Sequence, residues 1–329
     1  MRCPRFSPGE DSVCSHYIPS TNGKAGCCML RSRFLCQEDE SQFGRPLSFS
    51  SVRTYLQCRF KYYLRYILGY RLRPEHTPAP LALGKLWGLW LQHQYEPELV
   101  TSTHLKEHIS ETRMYLEDAA RVRALTRAFR ALGLRINKDE FLGCEYPVEY
   151  PVAGRTLIGY IDRAYEDEIV ESKLSARPDF YGKLENVSSQ VSTYLLANEK
   201  WDGVIMEVVR LPVLRTGKGK TANESPEAYE ERCYQDILSR PTHYFPKFDR
   251  KKGTFGHRFW RSEFHLKEMA QIYISVVKDM ENCMKENLWF PNELACHVPG
   301  PCEYLPFKST GVFSEELYYK KGNEEEDFK

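Results

Sequence analysis

No run in this sequence approaches the roughly 18 consecutive apolar residues that a membrane-spanning helix requires. The N-terminal Met1-Arg-Cys-Pro-Arg-Phe-Ser lacks the apolar centre of a secretory signal, so the expectation is a cytoplasmic protein with no membrane partner. Neither sign of charge dominates: 46 Lys and Arg stand against 45 Asp and Glu, a formal net charge of +1. A nucleic-acid partner would therefore have to be met by a local basic patch rather than by a field over the whole molecule. There is no internal repeat and no Cys-x-x-Cys pair. A Gly-x-x-x-x-Gly-Lys-Ser/Thr phosphate loop is also missing, and Gly217-Lys-Gly-Lys is too short to replace one, which argues against a helicase.

What is present suits a folded chain with a substantial core. Apolar residues make up 42% and charged residues 28% of 329, enough for one large domain or two modest ones. The eleven cysteines are odd in number, and the chain is not a small secreted scaffold, which argues against a disulfide framework. Inert buried thiols and metal or cluster ligands both remain open. Residues 1–46 hold five of them, with Ser, Gly and Pro and little periodicity, and read as a poorly ordered or separately tethered extension. A zinc site from Cys3, Cys14, Cys27, Cys28 and Cys36 has no supporting spacing.

Residues 47–139 read as a helical region. Val52, Tyr55, Leu56, Phe60, Tyr63, Ile67 and Tyr70 recur at helical steps behind a serine suited to the N-cap, and 81–95 and 103–134 continue as helices. A core follows over 140–290. Short strands are expected at 145–152, 156–165 and 168–175, with turns at Ala153-Gly154 and Glu166-Asp167. Then come a helix at 184–200, a strand at 204–213, a helix at 226–238, a strand at 255–260 and a helix at 262–287. Residues 291–329 read as a loop-like tail. The order implies an α/β fold, a mixed central sheet flanked by helices.

Folding the two hairpins about their turns places Asp162 opposite Glu145 on one side and opposite Glu171 on the other. Directly opposed side chains share a face about 5 Å apart, and Lys173 shares the face of Glu171. Such a row of acids would raise its own pKa values, and a hard divalent cation, Mg²⁺ or Mn²⁺, would remove that penalty. A solvated sheet face would account for isolated charges but not for a register-matched trio beside a lysine.

Gly159-Tyr-Ile-Asp162-Arg163, Ile169-Val-Glu171-Ser-Lys173 and Gln190-x-x-x-Tyr194 together resemble the PD-(D/E)xK nuclease superfamily. The RecB-type branch, with the CRISPR-adaptation exonucleases and phage relatives, is the most similar. The resemblance spans roughly Ser48 to Phe307. It implies a restriction-endonuclease-like core in which Asp162 and Glu171 bind metal with the Leu174 backbone carbonyl and Glu145. Lys173 would orient the attacking water or offset charge on the phosphate, and Gln190 and Tyr194 would position them. Many relatives add a histidine through Gly-x-x-x-His, whereas this chain has Gly84-Lys-Leu-Trp-Gly88, and His93 lies well off that helix face. Relatives also often tie their termini with a 4Fe–4S cluster. Cys58, Cys296 and Cys302 match three ligand positions, with Cys283 a conceivable fourth, but the last family cysteine falls near Lys308.

Candidate DNA contacts are Arg215, Lys218 and Lys220 in a glycine loop, Arg250, Lys251 and Lys252, and Arg258 and Arg261 around Trp260, a combination suited to single strands. The functional expectation is a Mg²⁺- or Mn²⁺-dependent deoxyribonuclease acting on DNA ends or single strands in recombination, repair or mobile-element processing, with a recombination or helicase protein as partner. A catalytically inactive scaffold that binds DNA or protein is the alternative. A cysteine-rich metal-binding regulator is a third.

Overall fold

The protein is described here by a computed structural model, in which residues 17–18, 27–28, 46–134, 139–214, 224–298 and 300–321 are described. Two short strands, β1 (Tyr17–Ile18) and β2 (Cys27–Cys28), pair antiparallel. The rest of the N-terminal extension, with the side chains of Cys3, Cys14, Cys27, Cys28 and Cys36, lies outside the described residues.

The chain enters through β3 (Leu47–Ser48) directly into α1 (Phe49–Gln57). Ser48 closes the helix start in a reciprocal cap: its Oγ accepts from the Ser51 amide at 3.0 Å, and Ser51 Oγ accepts from the Ser48 amide at 2.9 Å. The helical pattern that runs on to Tyr70 is interrupted at Cys58. This residue is extended and caps α2 (Arg59–Tyr62) by accepting from the Lys61 amide through its sulfur, and a π turn at Tyr63–Ile67 leads to β4 (Tyr70–Leu72). Next comes α3 (Ala79–Tyr95). The single helix expected over 103–134 is two, α4 (Ser102–Glu111) and α5 (Leu116–Ala131). The Thr112 hydroxyl donates to His108 O at 2.7 Å and Arg113 takes φ 47°, which ends the first, while Glu117 and Asp118 favour the start of the second.

The sheet is built around β5 (Phe141–Val152), β6 (Arg155–Tyr165) and β7 (Glu168–Ser175). Ala153 and Gly154 both have positive φ, 48° and 79°, which suits a two-residue hairpin. The expected β5–β6 register holds from Val152↔Arg155 through Tyr146↔Ile161 and resumes at Cys144↔Arg163. Glu145 turns to φ 45° and leaves the ladder where it would have faced Asp162. The expected β6–β7 register also holds, in the pairs Arg163↔Val170 and Ala164↔Ile169. After α6 (Leu184–Ala197), β8 (Gly203–Arg210) runs parallel to β7 along its whole length. Then follow α7 (Pro226–Ser239), α8 (Pro241–Tyr244), β9 (His257–Trp260), which pairs antiparallel with β8, and α9 (Leu266–Lys285).

β5 occupies one edge of β6 throughout, so β3 and β7 must share the other. β3 pairs with Leu157 and Ile158, β7 with Arg163 and Ala164, and Gly159–Asp162 lie in the interval between them. The result is the mixed, helix-flanked sheet that the sequence implied. Val187, Val191, Tyr194 and Leu195 of α6 pack with Ile161, Ile169, Val204, Met206 and Trp201. A second core gathers Trp87 and Trp90 of α3, Leu125 and Phe129 of α5, and Tyr229 and Ile237 of α7.

The described chain divides into two compact units. One is formed largely by Pro74–Asn282 with Pro46–Val52; the other contains Arg53–Arg73 and the described residues from Cys283 onward. The tail, expected to be loop-like, contains α10 (Leu305–Thr310) and β10 (Tyr318–Lys320), which pairs with β4. Tyr304, Phe307 and Tyr318 share a small core with Tyr63, Leu64 and Leu68. These segments are too short to show periodicity, and their partners are distant in sequence.

Gly203 opposes Trp260, and a Cβ there would stand 2.3 Å from the Phe259 carbonyl oxygen. Gly203→Ala must therefore displace β9 and is expected to lower stability by about 1–3 kcal/mol. Thermal or urea unfolding measures it, and an unchanged midpoint would contradict this packing.

Candidate active site

Asp162 is the last residue of β6 before its first β7 rung, and Glu171 is the first residue of β7 beyond it. The strands have parted there, and the Asp162 carboxylate fills the opening: its Oδ2 accepts from the Ser172 backbone amide at 2.6 Å. Glu171 is 1% exposed. Its Oε1 accepts from Gln190 Nε2 at 2.8 Å and from Lys173 Nζ. Its Oε2 is buried with no hydrogen-bond partner among the described residues.

The α6 contribution follows from helical spacing. Gln190 and Tyr194 are four apart on one face, and Gln190 Nε2 also donates to the Tyr194 hydroxyl at 2.9 Å. That hydroxyl donates to Tyr160 O at 3.0 Å, in the interval of β6 that neither β3 nor β7 covers. Only glycine at 159 allows this, because a Cβ would lie 2.8 Å from the Tyr194 ring. Asp162, Glu171, Lys173, Gln190 and Tyr194 are thus brought together. Leu174 continues β7 opposite Val209, with its side chain against the core.

The electrostatics are those of crowded carboxylates. Burial, then the Asp162 charge, push the Glu171 pKa well above the ordinary carboxylate range against the pull of Lys173 and Gln190. Burial works against the Lys173 charge, but Glu171 and Asp162 outweigh it and keep the ammonium protonated. Glu145 has much accessible surface, yet desolvation by surrounding protein and the Asp162 charge lift its pKa to about 7, tempered by Lys173 and Lys85. Glu145 therefore belongs to the same electrostatic group although it has left the ladder. Burial, then Glu171, raise the Tyr194 pKa, so the phenol stays neutral and donates.

These residues fit a hard divalent cation. They offer carboxylate oxygens, one of them buried without a donor, and the pKa shifts of two neighbouring acids would be relieved by positive charge. Among the described residues no three His, Cys, Asp or Glu side chains gather closely enough to hold a metal by themselves. Mg²⁺ does not require that, since it is commonly held by one or two carboxylates with water and substrate phosphate completing its shell. The upstream helix adds no imidazole: a Cβ at Gly88 would have nothing within 4 Å, and His93 Nδ1 meets Val100 O at 2.5 Å.

The cysteines fit a 4Fe–4S cluster poorly. Cys58 Sγ accepts from the Asn292 amide and Cys296 Sγ donates to Asn292 O, both at 3.4 Å. Burial, the larger effect, raises the Cys302 pKa. Lys308, at the place of the missing cysteine, puts its ammonium 3.5 Å from Cys296 Sγ, and Cys283 Sγ donates to Leu288 O at 2.9 Å. Four gathered thiolates are not found among the described residues.

Of the candidate DNA contacts, Arg215, Lys218 and Lys220 lie outside the described residues. Arg250, Lys251 and Lys252 sit exposed on a turn tied back to Asp249. Trp260 is 50% exposed, with the Arg258 guanidinium 4.9 Å from its ring. Arg258 also pairs with Glu168 at 2.5 Å, and Arg261 donates to the carbonyls of Asn198 and Trp201.

Sequence reading assigned no role to the reverse face of the sheet, where Arg163, Ser172, Glu207 and Tyr95 form a hydrogen-bonded group. The available signal was an arginine and a serine each adjacent to a candidate acid and therefore facing away from it. Lys85, one turn before Gly88, was likewise missed.

A family model for the PD-(D/E)XK nuclease superfamily matches residues 46–273, more than half of the chain. No match was found among curated proteins. Among the described residues no helix is long and apolar enough to cross a membrane.

A folded-state pKa raised above the unfolded value makes a carboxyl group contribute stability in its protonated form. That contribution is complete below the unfolded value and is lost as pH rises through the folded one. For Glu145, raised to about 7 by burial and by Asp162, the loss falls between about pH 4.5 and 7. Without divalent cations, Glu145→Gln is expected to melt higher than the parent at pH 8 and equally at pH 4. An equal melting temperature at both would contradict the crowding.

Proposed function

The chain belongs to the PD-(D/E)XK nuclease superfamily, and from that premise we propose that it is a Mg²⁺- or Mn²⁺-dependent deoxyribonuclease. Its substrates are DNA ends or single strands, in recombination, repair or mobile-element processing. Membership of the RecB-type branch is part of the proposal and rests on Gln190-x-x-x-Tyr194. The observation that carries it is the asymmetry of Glu171. Lys173 and Gln190 converge on Oε1, leaving Oε2 buried and without a donor among the described residues.

Asp162 and Glu171 would hold the cation, with Glu145 and the Leu174 carbonyl as further ligands. When bound, the cation would polarise the phosphodiester and lower the pKa of an attacking water. Lys173 would orient that water through N–H donation and offset the negative charge growing on the phosphate. Gln190 fixes the Glu171 carboxylate, and Tyr194 ties Gln190 to the β6 backbone. Trp260 offers an exposed face for base stacking.

The scaffold alternative is favoured by one observation, that the exposed Gly88 supplies no metal ligand. End-labelled single- and double-stranded DNA incubated with Mg²⁺, Mn²⁺ or EDTA separates the two. The proposal expects cleavage that requires the cation and falls by about 100-fold or more in Lys173→Ala, with DNA binding retained. DNA binding without cleavage by the parent protein would favour the scaffold, and cleavage undiminished by EDTA would overturn the metal site.

A further inference from the structure

Two residue pairs join β6 to β7 in the described structure, whereas the β7–β8 ladder runs through eight, from Glu168↔Gly203 to Ser175↔Arg210. The carboxylates of Asp162 and Glu171 project from opposite sides of this short seam, just past its end. Two rungs alone are a weak constraint on side chains whose separation matters to a fraction of an ångström.

The reverse face supplies another constraint. Arg163 forms the last rung, and its side chain points away from Asp162 by strand alternation. It is 3% exposed, and its guanidinium crosses the seam. Nη2 donates to Ser172 Oγ on β7 at 2.6 Å and pairs with Glu207 on β8, while Nη1 donates to the Tyr95 hydroxyl on α3 at 2.9 Å. Ser172 lies between Glu171 and Lys173, and its backbone amide is the donor to Asp162 Oδ2. One guanidinium thus grips, from behind, the residue that contacts one acid and carries the other as its neighbour.

A buried ion pair is weak grounds for stability, because its desolvation offsets most of its attraction. Here the desolvation is compounded: Arg163 Nε is buried with no acceptor among the described residues. An apolar side chain would hold the core as well. What it could not do is hydrogen-bond from β6 to both β7 and β8 at the point where the β6–β7 ladder stops.

We infer that Arg163 is a positioning residue that, through Ser172 and Glu207, holds β6 and β7 at the separation that sets Asp162 against Glu171. This rests on the reading of those two acids as the cation site. Arg163 touches no reacting atom.

The test uses the full chain without DNA and compares Arg163→Lys, Ser172→Ala and Ser172→Thr with the parent. Lysine keeps the charge but loses the planar fork; threonine keeps the hydroxyl. Mn²⁺ affinity is read by electron paramagnetic resonance and the Ser172 amide by hydrogen exchange. Arg163→Lys and Ser172→Ala are each expected to weaken Mn²⁺ binding by about tenfold or more. Both should also speed Ser172 exchange by about tenfold, with the Val204–Val208 amides as protected as in the parent. Ser172→Thr is expected to restore both. Folded Arg163→Lys with parental Mn²⁺ affinity and a parental Ser172 amide would overturn the inference; if that variant fails to fold, the Ala and Thr variants at 172 decide in the same way. Should the parent bind no Mn²⁺, the cation reading fails, and the Ser172 amide alone still decides whether the clamp exists.

Discussion

The place where β6 and β7 stop pairing determines the chemistry available to this chain. Had the ladder continued, backbone partners would have occupied the groups around Asp162 and the two strands would have closed on each other. It ends after Arg163↔Val170, and the Ser172 amide turns to the Asp162 carboxylate instead of to a strand. The break belongs to a larger interruption of the same β6 edge, where β3 covers Leu157 and Ile158 and β7 begins only at Arg163. Tyr194 of α6 reaches the Tyr160 carbonyl inside that interval, over the glycine that makes room for its ring.

The two faces of the seam handle charge differently. On the reverse face, Arg163 and Glu207 cancel each other, and the Tyr95 and Ser172 hydroxyls accept from the two Nη atoms. On the front face, burial and then the Asp162 charge raise the pKa values of Glu171 and Glu145, against the pull of Lys173 and, for Glu145, of Lys85. The front face is an arrangement of acids in need of positive charge, held by a back face that needs none.

Much of this was legible from turn chemistry and periodicity. Ala153-Gly154 and Glu166-Asp167 define both hairpin registers, which hold on either side of Glu145 and up to Arg163↔Val170. Gln190 and Tyr194 share a face by helical spacing alone. What was not legible depended on tertiary partners. The left-handed turn at Glu145 removes it from the ladder and has no sequence signature, since glutamate seldom adopts that conformation. The break between α4 and α5 turns on local features, the Thr112 hydroxyl on His108 O and the positive φ of Arg113. β10 acquires its identity only by meeting β4, far away in sequence. Cys58 matched a cluster position but serves as a helix cap, and Lys308 takes the place of a ligand.

The central claim is that the parted strands leave Glu171 Oε2 and Asp162 to share a divalent cation. Anomalous diffraction from crystals of the protein grown with Mn²⁺ tests it most directly. The expected result is a single strong peak about 2.0–2.3 Å from a carboxylate oxygen of Asp162 and from Oε2 of Glu171, with Lys173 and Gln190 still on Oε1. A peak elsewhere, or none at these acids in well-ordered crystals, would contradict it.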